Sequence, residues 1–301
     1  MRFMGADEKK PFLSPYDFIR IARSASLAAL RAALGSAPPL PRPLELEDRT
    51  LASAGLTRFI PALHGTVLDL LAIPAEEMPP PEPSETFAAY GASLAAAFSA
   101  RRPPALAFTD RDALGAPRRT VHTAAMLAEE ADSASFLFSG RRRVLCAVPL
   151  LHSYGFVFGL LIPRRLRVPA VDVPPSPALS GHPLQKGDLA VLFPQLLKVL
   201  TAPPPPDAAL ISSSSPPLEG RYFKTARSAG YLSLAEIYGT ALTGSLGWRK
   251  TGGPYELFGH FIRKGEKSIL RPSTGTVLAS SRLLWRRERH FSRYEGQDEE
   301  R

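Results

Sequence analysis

The chain has 301 residues, of which 31 are proline and 22 glycine, with 45% hydrophobic and 22% charged residues. The prolines, at about twice the usual ~5%, cluster without a period, which excludes a collagen repeat, while the apolar fraction excludes global disorder and the length admits about two domains. A single cysteine, Cys146, excludes an internal disulfide framework and any cysteine-based zinc site, and a formal charge of +9, mostly arginine, suits anionic ligands.

Asp7, Glu8, Lys9 and Lys10 precede any apolar run, so the N-terminus does not read as a secretory signal and a cytoplasmic protein is expected. Ser14 as cap and Pro15 at the first helical position open an amphipathic helix over 15–34, whose Phe18, Ile21, Ala22, Ala25, Ala29 and Ala33 share one face before Gly35 stops the run. After a proline-rich loop, Pro38–Pro43, a second helix is marked by Leu51, Phe59, Leu63, Val67 and Leu70, with a turn at Ala54-Gly55-Leu56-Thr57. Beyond Pro79–Pro83 a third helix is expected over 84–98, capped by Ser84. Residues 1–100 therefore read as a small helical unit.

From Ala105 short β-prone runs (Ala105–Thr109, Val144–Val148, Leu189–Phe193, Ala208–Ser212, Leu234–Tyr238) alternate with helical stretches (His122–Ser135, Gly155–Leu161, Pro194–Thr201). That alternation predicts a layered α/β domain with a largely parallel sheet over 101–301. Pro174–Pro177, Pro203–Pro206 and the serine run Ser212–Ser215 read as loops, the last directly after a buried-type strand, where open α/β sheets bind ligands. Arg282–Tyr294, with five arginines and interleaved Trp285, Phe291 and Tyr294, reads as a solvated helix that meets a partner, with a nucleic-acid role not expected.

Val144–Pro163 is twenty residues without a charge, long enough to span a membrane. Pro149, His152, Ser153 and Tyr154 in its middle, and arginines at both ends, favour a buried strand, a polar turn and a short buried helix. Membrane insertion is therefore not expected. The six histidines lack metal-ligand spacing, no G-x-S-x-G elbow occurs, and Cys146 falls in a buried strand, so no metal site and no hydrolase nucleophile are assigned.

Three ordered segments resemble the adenylate-forming superfamily of AMP-dependent acyl-CoA synthetases and ligases. V-P-L-L-H-S-Y-G-F (Val148–Phe156) is similar to that family's V-P-x-x-H-x-x-G-F/L, S-S-S-P-P-L (Ser213–Leu218) to S-S-A-A-P-L, and Y-G-T-A-L-T-G (Tyr238–Gly244) followed by L-G-W-R to Y-G-S-T-E-T-G followed by I-A-Y-R. The resemblance implies the family's large-domain fold, an acyl pocket shaped by His152, Tyr154 and Gly155, and an adenylate site at Ser214, Ser215, Tyr238, Gly239 and Thr240, with Thr240 toward the α-phosphate. It implies ATP or AMP, and CoA or phosphopantetheine, as ligands, with an acyl or aryl carboxylate as substrate and an acyl carrier protein as a candidate partner. In the family's reaction the carboxylate attacks the α-phosphate of ATP, pyrophosphate leaves, and the acyl group then passes from AMP to a thiol.

The departures bear on that chemistry. Where the family has T-S-G-S-T-G-x-P-K this chain has T-D-R-D-A-L-G-A-P-R, which retains Thr109, Gly115 and Pro117 of the phosphate loop with Arg118 in the lysine's place. Leu242 stands where the family's glutamate holds Mg²⁺, and leucine offers no oxygen ligand. No T-G-D follows Arg271, and the chain ends before the family's C-terminal lysine domain. The expectation is a family member with degraded ATP and Mg²⁺ sites, an accessory acyl- or carrier-binding protein in fatty-acid, polyketide or aryl-polyene synthesis. The alternatives are an active AMP-forming ligase and an unrelated membrane-associated protein. Asp48–Phe59 also resembles the D-x-x-L-x-x-x-G-x-D-S-L of acyl carrier proteins, with Arg58 in place of the serine that carries phosphopantetheine; a plain three-helix unit is the other reading.

Overall fold

The computed structural model describes residues 11–35, 40, 42–111, 116–173, 183–197, 205, 207–214, 217–240, 242–266, 268–279 and 283–293. The chain divides into two compact units, one comprising Met1–Phe108 and Val121–Ala125, the other Thr109–Thr120 and Met126–Arg301.

The first unit is helical. Helix α1 (Pro15–Leu34) begins where the Asp17 carboxylate accepts hydrogen bonds from the Ser14 backbone N–H (2.7 Å) and hydroxyl (2.6 Å). It ends at Gly35, whose left-handed φ of 71° lets its N–H return to the Arg31 carbonyl. A one-turn α2 (Pro43–Leu46) precedes α3 (Ile60–Leu70) and α4 (Phe87–Ala100). The apolar face of α1 (Phe18, Ile21, Ala22, Ala25) is buried against α3 and α4. Gly91 lets α1 and α4 approach closely, since a Cβ there would lie 3.1 Å from Ile19 Cγ1. Buried His64 joins Tyr90 Oη (Nδ1, 3.0 Å) to the Met78 carbonyl (Nε2, 3.0 Å), so Nε2 carries the proton and Nδ1 accepts. Two expectations shift. Leu51 sits in the turn before Gly55 (φ 74°) and the helix starts only at Ile60. The cap of α4 is Thr86, not Ser84, because Thr86 Oγ1 is the atom within reach of the Ala89 N–H (3.1 Å).

Strands β1 (Ala105–Arg111) and β2 (Pro117–Thr123) pair as a two-stranded sheet, and α5 (Ala124–Ser135) follows. His122 is therefore the buried penultimate residue of β2 rather than the start of a helix.

The second unit is layered around a nine-stranded sheet. Along the chain run β3 (Arg143–Cys146), α6 (Ser153–Gly155), a π-helical turn (Phe156–Leu161), α7 (Ile162–Leu166), β4 (Ala170–Asp172), β5 (Asp188–Leu192), α8 (Pro194–Leu197), β6 (Ala209–Ser213) and α9 (Gly220–Ser228). Then come β7 (Ser233–Thr240), β8 (Gly244–Arg249), β9 (Tyr255–Leu257), β10 (Ile262–Arg263), β11 (Ser268–Arg271), β12 (Thr276–Ala279), β13 (Leu283–Arg287) and β14 (His290–Arg293). Sheet order is β13-β14-β9-β8-β7-β6-β5-β3-β4; β4, β3, β5, β6 and β7 are mutually parallel and the remaining pairings are antiparallel. Strands β10–β12 form a separate antiparallel sheet.

Strands β3, β5 and β6 carry unbroken apolar runs (144–146, 189–192 and 209–211) because both faces are covered. Leu145, Ala190, Leu192, Leu210 and Leu234 meet Phe223 and Ala226 of α9 on one side. On the other, Cys146 meets the π-helical turn at Gly159, where a Cβ would overlap its sulfur. Val144–Pro163 is thus a strand, a turn and a buried helical stretch, and among the described residues no helix is long and apolar enough to cross a membrane.

The arginine-rich C-terminal stretch is a β-hairpin, not the expected helix. Trp285 and Phe291 pair across β13 and β14, and Phe291 stacks on Tyr255 at 5.6 Å. Alternation of apolar and basic residues, read as a helix face, serves here to bring Trp285 and Phe291 onto the Tyr238–Tyr255 cluster. Tyr294 and the acidic tail, Pro174–Pro177, and Lys198–Thr201 lie outside the described residues.

Candidate functional site

Because β3, β5, β6 and β7 run parallel, their carboxyl ends open on one edge, with strands ~4.8 Å apart. β3 leads to His152, β6 to Ser214, and β7 ends in Tyr238, Gly239 and Thr240. Topology alone places these residues along about 15 Å of a crevice of the kind open α/β sheets use for ligands.

At the first position the chain turns sharply between β3 and α6. Gly155 is required there, since a Cβ would overlap the Pro149 carbonyl oxygen. His152 caps α6, its Nδ1 accepting the Tyr154 N–H at 3.4 Å; this leaves Nε2 as the protonated nitrogen on an exposed ring. Tyr154 points inward, 7% exposed, and burial holds its phenol well above the ordinary value, with Cys146 adding to the effect. Of the three residues, His152 faces solvent while Tyr154 and Gly155 belong to the interior.

At the second position β7 passes through a turn into β8. Thr240 and Thr243 hold each other: Thr240 N–H donates to Thr243 Oγ1 (3.1 Å), Thr243 N–H to Thr240 Oγ1 (3.2 Å), and Thr243 Oγ1 donates to the Gly244 carbonyl (2.8 Å). Gly239 meets the Gly244 backbone so closely that a Cβ would overlap the Gly244 oxygen. Tyr238 turns away from this surface, 5% exposed, with its ring 5.2 Å from Tyr255 and 5.8 Å from Phe291. Gly239 and Thr240 are exposed, so what this strand end presents to a ligand is their backbone and the threonine hydroxyl.

A buried polar network joins the serine segment Ser213–Leu218 to β7 and to Arg249 of the L-G-W-R segment. Glu236, fully buried, accepts the Leu218 N–H (2.7 Å) and Arg249 Nε (2.5 Å). Arg249 donates further to the carbonyls of Leu218 (2.9 Å) and Gly253 (3.1 Å), and its guanidinium lies 4.4 Å over the Tyr255 ring. Tyr255 Oη stands beside Glu236 and Ser214. Burial raises the Glu236 carboxyl above its ordinary range, a pull only partly offset by the Leu218 N–H and Arg249. Beside the network opens a cavity of about 500 Å³, lined among others by Pro217, Leu218, Arg249, Gly253, Tyr255 and Arg286.

Thr109 and Arg118 are exposed on β1 and β2; Gly115 and Ser215 lie outside the described residues. The turn after Tyr238 does not fit a magnesium ion. Leu242 is an exposed hydrocarbon (46%), the two threonine hydroxyls are bonded to each other, and no group of three His, Cys, Asp or Glu among the described residues is placed to hold a metal.

Sequence reading missed Glu236 and Glu130, although each left a signal. Glu236 is the one charged residue in an apolar strand, and Glu130 falls on the buried face of α5, three residues after Leu127 and four before Ala134.

No protein-family model matches the chain. The 4-coumarate–CoA ligase of Halorhodospira halophila is 29% identical over 192 residues, which cover 62% of this chain and 49% of that ligase. The 4-coumarate–CoA ligase of Cereibacter sphaeroides is 30% identical over 151 residues, 48% of this chain and 36% of that one. The chain thus spans half or less of the curated relatives it matches. In fold it is similar to the crystal structure of an acyl-CoA synthetase (AMP-forming)/AMP-acid ligase II-like protein from Dyadobacter fermentans, with a TM-score of 0.52, 12% identity, and coverage of 73% of this chain and 67% of that one. The chain is thus similar in sequence to part of two 4-coumarate–CoA ligases and shares its fold with an AMP-forming acyl-CoA synthetase-like protein.

Proposed function

We propose that the chain holds an adenylate-type ligand without forming it alone. The AMP part would lie on the backbone of Gly239 and Thr240 and the strand end at Ser214 and Ser215, with an acyl or aryl carboxylate reaching His152. The observation that carries this reading is the turn at Thr240–Gly244: its hydroxyls are mutually bonded and its side chain at 242 is a leucine, so no carboxylate stands ready for Mg²⁺. His152 Nε2–H would donate to the carboxylate or its acyl-adenylate carbonyl. Arg118, in the place of the family's phosphate-loop lysine, would supply only a surface charge. Such a protein would act as an accessory, presenting an acyl group or meeting an acyl carrier protein in fatty-acid, polyketide or aryl-polyene synthesis. Residues 1–100, with exposed Arg58 lying over Phe59 where a carrier's serine would be, would take no phosphopantetheine arm.

A second reading, an active ligase, draws on the 192-residue match to a 4-coumarate–CoA ligase. ATP–pyrophosphate exchange with a panel of fatty and aromatic acids separates the two, beside calorimetry with ATP·Mg²⁺ and a non-hydrolysable acyl-AMP analogue. Analogue binding without exchange supports the accessory reading; exchange above background overturns it.

A further inference from the structure

Under the turn that follows Tyr238 lies a pair of buried charges from two other elements. Glu130 of α5 is 2% exposed, and its Oε1 accepts the Ser245 N–H at 2.9 Å. Its other oxygen packs against Gly244, which adopts φ +66° and has no room for a Cβ because one would overlap Glu130 Oε2. Arg271 of β11, also 2% exposed, is the cation that faces it; Glu129 lies 3.6 Å from Arg271 Nε and is itself bound by Ser273 Oγ at 2.7 Å. Among the described residues, Arg271 Nε and Nη2 have no hydrogen-bond acceptor, so the guanidinium is held by charge and by the Phe261 ring 4.9 Å away.

We propose that Glu130 is a positioning residue that fixes the Thr240–Ser245 turn in the geometry that receives the nucleotide. Its carboxylate does two things at once. It fills the space beneath Gly244, so the turn cannot sink, and it anchors the Ser245 amide of β8, so the turn cannot lift. The Thr240–Thr243 bonds fix the shape of the turn internally, and the Glu130 contact sets where that shape sits relative to the end of β7. A turn pre-set in this way loses less conformational freedom when a ligand binds it. This inference rests on the nucleotide reading above for its consequence, and on geometry alone for the anchoring itself.

The test compares the full chain with Glu130→Ala, which removes the acceptor, and Glu130→Gln, which keeps one. Glu130→Ala/Arg271→Met carries the test should the single substitution fail to fold, because it leaves no buried guanidinium unpaired. Amide hydrogen exchange at Thr243–Ser245 reads the anchoring, calorimetry with AMP reads the consequence, and tryptophan-detected unfolding controls for global stability. The expected result is exchange at Ser245 at least tenfold faster and an AMP dissociation constant at least tenfold higher on loss of the acceptor. Glu130→Gln should stay within threefold of the parent in both, while β5 and β6 amides are unchanged. Ser245 exchange within twofold of the parent in the folded alanine or double variant overturns the inference. If the parent itself binds no AMP at millimolar concentration, the nucleotide reading fails while the exchange arm still decides the anchoring.

Discussion

Arg249→Met is the sharpest test of the network that joins the serine segment to β7 and β8. It would strand the Glu236 carboxylate, which is fully buried and would keep the Leu218 N–H and the neighbouring Tyr255 hydroxyl but lose the cation paired with it. A buried unpaired carboxylate takes up a proton, and holding one protonated at pH 7 against an ordinary value of 4.5 costs about 3 kcal/mol. The lost hydrogen bonds from Arg249 to the Leu218 and Gly253 carbonyls add about 1 kcal/mol each, so a loss of about 3–5 kcal/mol at pH 7 is expected, in the range for breaking a buried pair. The sign of the pH effect follows. A carboxyl whose folded value is raised binds more protons folded than unfolded between 4.5 and that value, so the variant regains stability as pH falls from 7 toward 5. Urea unfolding followed by tryptophan fluorescence at pH 5, 6 and 7 reads this directly, since Trp248 and Trp285 both lie in the α/β unit. A loss below 1 kcal/mol at pH 7, or a pH dependence parallel to that of the parent, would refute the reasoning.

Gly159→Ala should destabilise by about 2 kcal/mol because its methyl overlaps Cys146 Sγ, and Cys146→Ala should relieve at least about 1 kcal/mol of that loss in a double-mutant cycle; additive effects would mean the contact is not the cause. Thr86→Ala should cost about 1 kcal/mol through the lost cap of α4, whereas Ser84→Ala should stay within about 0.5 kcal/mol, as chemical denaturation can compare. His260, buried between Phe258 and Phe261, has its imidazole pushed down to about 3 by burial and by Arg271. The unfolded chain therefore binds the extra proton below pH 6.5, stability is lost as pH falls toward 3, and His260→Leu should flatten that loss in melts between pH 6.5 and 4. His152→Ala should weaken binding of an acyl-AMP analogue by about tenfold without lowering the melting temperature, its ring being exposed; unchanged affinity would remove His152 from the site.

Much of the architecture was legible before any tertiary contact was considered, and the limits are instructive. The first helix was readable to its ends because Ser14, Pro15, Asp17 and Gly35 are local signals that act within one turn. The parallel strands were readable because burial on both faces leaves uninterrupted apolar runs. The C-terminal hairpin was not, since alternating arginines and aromatics suit either a helix face or a strand until Tyr238 and Tyr255 supply the surface that Trp285 and Phe291 must cover. The start of α3 and the cap of α4 moved for a smaller reason: propensity leaves a boundary loose by a few residues, and hydrogen-bond reach decides it.

The chain's own sequence determined the motif order, the absence of a second cysteine, and Leu242 in a position where the resemblance calls for glutamate, because residue identity and spacing are properties of the chain alone. Only the tertiary structure decided which of those residues face a ligand. It turned Tyr238 and Tyr154 into the core, left His152 and Thr240 at the edge, and set Glu130 and Glu236 beneath the turn and the serine segment. The physical reason is that a strand's two faces and a helix's buried stripe are assigned by what packs against them. For a polar residue, burial beside donors from distant elements converts an ordinary surface charge into a structural anchor.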